Sequence, residues 1–248
     1  MATATLRCYA ELNDYLPVEQ RQQDISVDFR PPAPLRHLAE GLGVPHTEIE
    51  LALRNGQSVG LDTLLADGDR VALYPVFEAF DIQPELRLRA RPLRAPRFVA
   101  DAHLGKLARY LRLLGFDTLQ ENDIGDPALV ALAVREGRIL LSRDRQLMMN
   151  KAVIHGCHLR SGDPREQLAH LLSRLQLCGL IRPFSRCTVC NAAVVPVAKQ
   201  QVLEQLPESV ARLHSAFWCC SGCGRLYWQG SHWQALQRLV DEVCRNPA

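Results

Sequence analysis

Two cysteine pairs, Cys187-Thr-Val-Cys190 and Cys220-Ser-Gly-Cys223, constrain what this chain can fold into more than any other feature. Each pair puts two thiolates on one tight turn, and 29 residues separate the pairs. Two such knuckles complete a tetrahedral site for Zn²⁺. Four protein thiolates leave no coordination position open, so a zinc held this way is structural. The competing reading, two redox dithiols, needs a thioredoxin-like βαβ context around each pair, and neither has one. Cys219 would shift one spacing to C-x-x-x-C, whereas Cys220 keeps the knuckles alike. Cys8, Cys157, Cys178 and Cys244 are scattered and read as small core residues.

Nine cysteines with this spacing fit metal binding in a reducing compartment better than a disulfide framework. The N-terminus, Met1-Ala-Thr-Ala-Thr-Leu-Arg-Cys8, lacks the layout of a signal peptide, and no apolar run approaches the roughly 20 residues that cross a bilayer. A cytoplasmic location without a membrane partner is expected. The net charge of +2 conceals a split. Residues 1–83 hold six Arg and thirteen acids, a net of −7, and residues 84–248 carry a net of +9. An acidic half joined to a basic half favours a nucleic-acid partner for the basic one.

Residues 4–9 and 24–29 alternate with period two and read as strands. Pro31-Pro32-Ala-Pro34 ends the second, and Leu35, Leu38, Ala39 and Leu42 then have helical spacing, with Gly43 as C-cap. Further strands are expected around 51–54 and 70–75, the latter after the turn Asp67-Gly68-Asp69. This order indicates a compact α+β domain over 1–83. The run Asp67-Gly-Asp-Arg-Val-Ala-Leu-Tyr-Pro-Val76 resembles the β-grasp fold of ubiquitin and of the small sulfur carriers of thiamin and molybdopterin synthesis. Those carriers act through a free C-terminal Gly-Gly. Here the chain continues through Phe77-Glu-Ala-Phe-Asp81, so the resemblance implies a module that docks a protein partner.

Residues 84–96 read as a basic linker, because 86–97 contain five Arg, no acid, and two prolines that oppose helix. The run is either a solvated connection or an arm that contacts phosphates.

From 97 to 180 the pattern becomes strand and helix in alternation, which indicates an α/β domain with a parallel sheet covered on both faces. Phe98-Val-Ala100 is a strand ending at Asp101, and Leu104, Leu107, Ala108, Leu111 and Leu114 form an apolar helical face closed by Gly115. Further strands are expected at 116–119, 138–142 and 152–160, with helices opening at Asp126-Pro127 and at Pro164. Ligands of open parallel sheets bind beyond the carboxyl ends of the strands. Asp101 and Asp144 fall there, and Asp126, with Asp123 nearby, lies at a helix start on the same edge. Acids so placed repel one another unless a hard divalent cation such as Mg²⁺ or Mn²⁺ joins them, which would suit phosphodiester cleavage. The alternative is that each acid merely caps the helix that follows it. Lys106, Arg109 and Arg112 recur every third residue, and Arg143 and Arg145 flank Asp144. They are candidates for RNA backbone contacts or for solvated helix faces.

Residues 98–118, Phe-Val-Ala-Asp-Ala-His-Leu-Gly-Lys-Leu-Ala-Arg-Tyr-Leu-Arg-Leu-Leu-Gly-Phe-Asp-Thr, and 136–145, Glu-Gly-Arg-Ile-Leu-Leu-Ser-Arg-Asp-Arg, resemble the ribonuclease domain first named from the C-terminus of the Mut-seven exonuclease, a PIN-like nuclease family. The resemblance spans about 97–233, including the knuckles and Tyr227-Trp-Gln-Gly-Ser-His232, and bacterial members often carry a β-grasp domain in front. It implies a metal-dependent ribonuclease, with Asp101 and Asp144 as core ligands of Mg²⁺ or Mn²⁺ and Asp126 as the third. PIN-like enzymes often have another acid shortly after the Asp144 position, where this chain has Gln146. Asp117 and Asp123 are candidate substitutes, and Gln146 favours an alternative in which the fold grips RNA without cutting it. A zinc ribbon with a C-terminal helix is expected over 181–248. Tyr227, Trp228 and Trp233 are candidates for stacking on bases or packing on the knuckles, and Ser231 begins a capping-box pattern.

Overall fold

A computed structural model describes residues 1–75 and 96–245, apart from the side chains of His232 and Val243. The basic run at 86–95 lies outside the described residues. The chain divides into two compact units, whose described parts are 1–75 with 144–158, and 96–143 with 159–245.

The first unit is built on a five-stranded sheet. Its strands are β1 (Ala2–Cys8), β2 (Ile25–Phe29), β4 (Leu51–Arg54), β5 (Gln57–Ser58) and β7 (Arg70–Tyr74), in the order β2-β1-β7-β4-β5. Two short strands, β3 (Ala33–Pro34) and β6 (Leu64–Leu65), pair separately. The central pair, β1 and β7, is parallel, with Leu6 opposite Val71, and the outer pairings are antiparallel. Strand β1 buries Ala2, Ala4, Leu6 and Cys8 and turns Thr3, Thr5 and Arg7 outward, as its period-two pattern requires. Helix α1 (Leu35–Gly41) adds Leu35, Leu38 and Ala39 to the same core. Gly43 follows the helix at φ +89°, the left-handed stop expected of a residue after the C-cap. The turn before β7 is fixed by Asp69, which accepts from Ala66 N–H at 2.7 Å and Asn55 Nδ2 at 2.8 Å and pairs with Arg54 at 3.3 Å.

The later segment of this unit contains α4 (Arg145–Met148) and β11 (Gly156–His158). It packs on the β-grasp residues through Tyr15, whose hydroxyl lies 3.1 Å from His158 Nδ1, and Glu48, whose Oε1 accepts from His158 N–H at 3.0 Å. His46 adds contacts of 2.8 Å to Val153 O and 2.7 Å to Glu40 Oε1.

In the second unit β8 (Phe98–Ala100), β9 (Thr118–Gln120) and β10 (Ile139–Ser142) run parallel in the order β10-β8-β9. They alternate with α2 (Gly105–Leu113) and α3 (Asp126–Glu136). The predicted apolar face of α2 is buried as a set: Leu104, Leu107, Ala108, Leu111 and Leu114. Gly115, at φ +97°, turns the chain where an added Cβ would stand 2.1 Å from Arg182 O, so only glycine fits. The chain rejoins this unit at Leu159, whose N–H donates to Ser142 O. Helix α5 (Pro164–Arg174), capped by Asp163 Oδ1 on Arg165 N–H, follows.

The cysteine-bearing part belongs to this same unit. Strands β12 (Val194–Val197), β13 (Phe217–Cys220) and β14 (Leu226–Tyr227) form an antiparallel sheet, with short helices α6 (Lys199–Val202) and α7 (Glu208–Leu213) between the first two. Helix α8 (Ser231–Arg245) packs on α5. Trp218 stacks on Phe184 at 4.6 Å and Trp233 packs on it at 4.8 Å, which joins the sheet and α8 through one aromatic cluster. One expectation is corrected here. Cys178 and Cys244 form a disulfide that fastens the end of α8 to the turn after α5, instead of serving as separate core thiols. Cys8 and Cys157 are buried free thiols, as expected, and burial pushes the Cys8 thiol up to about 11.

Candidate metal centre and acidic strand edge

Cys187, Cys190, Cys220 and Cys223 converge so that all four sulfurs lie within 4.8 Å of one another. Cys187 and Cys223 Sγ are 3.6 Å apart, and Cys190 and Cys220 Sγ 3.4 Å. A tetrahedron of bonds of about 2.3 Å has sulfur separations of roughly 3.8 Å, so the set fits Zn²⁺ with little adjustment. The knuckles share one backbone pattern: Cys187 Sγ accepts from Cys190 N–H at 3.5 Å, and Cys220 Sγ from Cys223 N–H at 3.3 Å. Cys219 Sγ faces Cys220 O and Gly224 O instead, so Cys220 is the fourth member.

The thiols are unequal. Burial opposes ionisation of Cys187, but N–H groups of Cys190 and Val189 and the Tyr227 hydroxyl outweigh it and lower the thiol to about 6. The Arg225 N–H favours a Cys223 thiolate, yet the adjacent Cys187 and Cys220 sulfurs push that thiol up to about 12. Four thiolates this close repel one another, and a divalent cation removes the conflict. Tyr227 lies in this environment, with its hydroxyl 3.0 Å from Cys187 Sγ and accepting from Thr188 N–H at 3.0 Å. Its side chain serves the knuckle. Trp233 is buried against Phe184, so the packing alternative holds for it too.

Arg112 requires a correction. It is buried, with Nε donating to Thr118 O at 2.8 Å and Nη1 to Thr188 O at 3.1 Å and Val189 O at 3.0 Å. The guanidinium ties α2 and β9 to the first knuckle, so its donors are engaged by backbone carbonyls. Burial lowers its pKa, with the Cys187 and Cys190 charges opposing. Lys106, Arg109 and Arg143 are exposed in this unit, and Arg145 is exposed in the other.

Asp117 is likewise committed to structure. Its Oδ1 accepts from Arg138 Nη1 at 2.9 Å and from Asn191 Nδ2 at 2.7 Å, and Arg186 stands 3.7 Å from Oδ2. Burial by itself raises this carboxyl, but those partners hold it below its ordinary value. Asp117 therefore bridges the parallel sheet to the cysteine part. Arg138 and Asn191 carried no signal in the sequence beyond their polarity.

Asp101 stands one residue beyond β8. Its backbone caps the short turn that follows, but its side chain makes no capping bond. Oδ2 instead accepts from Ser142 Oγ at 2.6 Å, and Ser142 is fully buried at the end of β10. Sequence reasoning missed Ser142, whose only signal is its place two residues before Asp144. Asp144 does cap α4: Oδ1 accepts from Gln146 N–H at 2.7 Å and Leu147 N–H at 3.3 Å. Asp126 opens α3, where Gly125 is the N-cap, and both Asp126 and Asp123 are exposed. Among the described residues the four cysteines are the only group of three or more His, Cys, Asp or Glu with ligand atoms close enough to share a metal. The three acids form no such group. Mg²⁺ is commonly held by one or two carboxylates with water, so the donor chemistry of Asp101 or Asp144 remains suitable for a hard cation.

A family model described as Mut7-C RNAse domain matches residues 96–240, and one described as Mut7-C ubiquitin matches residues 1–81. Among solved structures, the small archaeal modifier protein 1 of H. volcanii is 22% identical, covers 30% of this chain and 98% of its own, and has a TM-score of 0.26. A putative molybdopterin converting factor, subunit 1, from Pyrococcus furiosus is 18% identical, with coverage of 30% and 98% and a TM-score of 0.25. No curated protein matches the chain. No helix among the described residues is long and apolar enough to cross a membrane.

Proposed function

Because the chain belongs to the Mut7-C RNAse domain family, we propose that it hydrolyses RNA phosphodiester bonds with Mg²⁺ or Mn²⁺, and that its four cysteines hold a structural zinc. Asp101 carries the reading. Its carboxylate sits beyond the carboxyl end of β8, a strand flanked by β10 and β9, at the edge where open parallel sheets bind ligands, and its side chain is not used as a helix cap. Ser142 Oγ fixes one oxygen of that carboxylate and so orients the other. Asp144 and Asp126 are the further candidate acids, and a bound cation would supply an activated water and neutralise charge on the phosphate. Lys106, Arg109, Arg143 and Arg145 contribute positive charge for the RNA backbone. The β-grasp domain is open to a protein partner, and the absence of a free Gly-Gly argues against carrier chemistry.

The test is incubation of the full chain with a mixed RNA pool, with and without Mn²⁺. Asp101→Asn and Asp144→Asn should each reduce divalent-dependent cleavage at least 100-fold while the zinc content stays the same. Both variants cutting at the parent rate would place the site elsewhere. A second reading, an adaptor that grips RNA without cleaving it, is favoured by Gln146 and by the capping bonds of Asp144. RNA binding without cleavage at any Mn²⁺ concentration would select it.

A further inference from the structure

We propose that the β-grasp domain is a built-in positioning element for Asp144, with Tyr15, His46 and Glu48 holding the segment Asp144–His158 in place. The inference rests on the reading of Asp144 as a metal-binding carboxylate. It goes further, by giving the N-terminal domain a role inside its own chain.

The segment has little means of holding itself. Its helix α4 has four residues and β11 three, both too short to persist without packing. The β-grasp domain contributes to that packing with side chains that are costly to bury unless they are partnered. Glu48, His46 and His158 are only 3%, 7% and 9% exposed. A buried carboxylate or imidazole is tolerated only with hydrogen bonds, and theirs run between residues more than a hundred positions apart. Both partners of His46, a carboxylate oxygen and a carbonyl oxygen, are acceptors.

The apolar contacts are equally close. Leu147, Met148, Val153 and Cys157 are buried. A Cβ on Gly156 would stand 2.9 Å from Met148 Sδ and 3.2 Å from Thr47 Cγ2, so the segment and the domain meet without spare room. The chain of contacts reaches Asp144 through α4: the β-grasp residues fix β11 and Val153, Met148 is locked beside Gly156, and the first turn of α4 holds Asp144 Oδ1 through two N–H groups. Tyr15, His46 and Glu48 are thus positioning residues, acting on the carboxylate without touching it.

The experiment uses the full chain with Tyr15→Phe, His46→Ala and Glu48→Ala, and with Glu48→Gln, which keeps an oxygen for the His158 N–H. Three quantities are read: amide hydrogen exchange over 145–158, Mn²⁺ affinity from the free-ion EPR signal, and RNA cleavage. The three disrupting variants should exchange at least tenfold faster over 145–158 and bind Mn²⁺ about tenfold more weakly at the site removed by Asp144→Asn. Their kcat should fall with KM for RNA unchanged, excess Mn²⁺ should recover part of the loss, and Glu48→Gln should restore most of it. Tyr15→Phe keeps the ring and guards against simple misfolding. Faster exchange with unchanged Mn²⁺ affinity overturns the positioning role and leaves only a structural contact. Unchanged exchange overturns the hold itself. A parent chain that takes up no Mn²⁺ overturns the reading of the acids and the positioning role with it. Normal Mn²⁺ behaviour without RNA cleavage overturns the nuclease reading alone and supports the positioning of Asp144.

Discussion

Replacing Arg112 with methionine separates a structural cation from a phosphate-binding one. Hydrogen bonds from a charged group contribute about 1.5–3 kcal/mol each, and Arg112 makes three to backbone carbonyls. They do not sum, because two share Nη1 and because removing the guanidinium from water opposes them. Methionine retains much of the side-chain volume, so the net loss for Arg112→Met should be about 3 kcal/mol. For a unit of this size that corresponds to roughly 10 °C in melting temperature. All three tryptophans, Trp218, Trp228 and Trp233, lie in the cysteine-bearing part, so their fluorescence reports on this unit alone. The variant should also release zinc faster to a chelator, because Thr188 and Val189 lie inside the first knuckle. Its RNA affinity at temperatures where it stays folded, and the slope of that affinity with salt, should match the parent. A variant that melts within a degree of the parent but binds RNA several-fold more weakly would falsify the structural assignment and return Arg112 to the RNA surface.

Further expectations concern the metal, one turn and one ion pair. Zinc analysis of chain prepared without chelator should give one zinc per chain, retained in Cys219→Ser and lost in Cys220→Ser; the reverse pattern would exchange their roles. Gly115→Ala should destabilise by about 3 kcal/mol or more, because its Cβ would collide with Arg182 O and Ser185 Oγ at a positive φ, and an unchanged melting temperature would refute that geometry. Asp117→Asn should cost about 2 kcal/mol at neutral pH, since Glu136 remains beside Arg138 to limit the loss. The folded-state carboxyl of Asp117 is lowered, so its contribution is fully present above the unfolded value near 3.8 and is lost as pH falls through the folded one. The difference in stability between parent and variant should therefore shrink in acid below that value. A difference that is flat from neutral pH downward would remove the charge from the explanation.

The sequence by itself determined the features that depend on local spacing. The knuckles are legible because two cysteines three positions apart meet on one turn wherever the turn is placed, and the match between Cys187 and Cys220 follows. The alternation in β1 and the apolar face of α2 are legible because strand and helix periods dictate which side chains share a side. That same period misleads for Arg112. Steps of three residues on a helix of 3.6 per turn each rotate about 60° backwards, so Arg112 stands roughly 120° from Lys106 and falls on the buried side. Spacing alone does not say where the core begins, and only the packed knuckle decided that Arg112 belongs to it. Asp101 and Asp144 look alike in the chain, each after a strand and before a helical turn. Tertiary structure divided them, by placing Ser142 against one and leaving two N–H groups to the other. Cys178 and Cys244 lie 66 residues apart, and cysteine pairing over such a distance is set by helix packing, which no local pattern encodes. The association of 144–158 with the β-grasp residues was hidden for the same reason: its hydrogen bonds join side chains whose nearness exists only after both parts of the chain have folded.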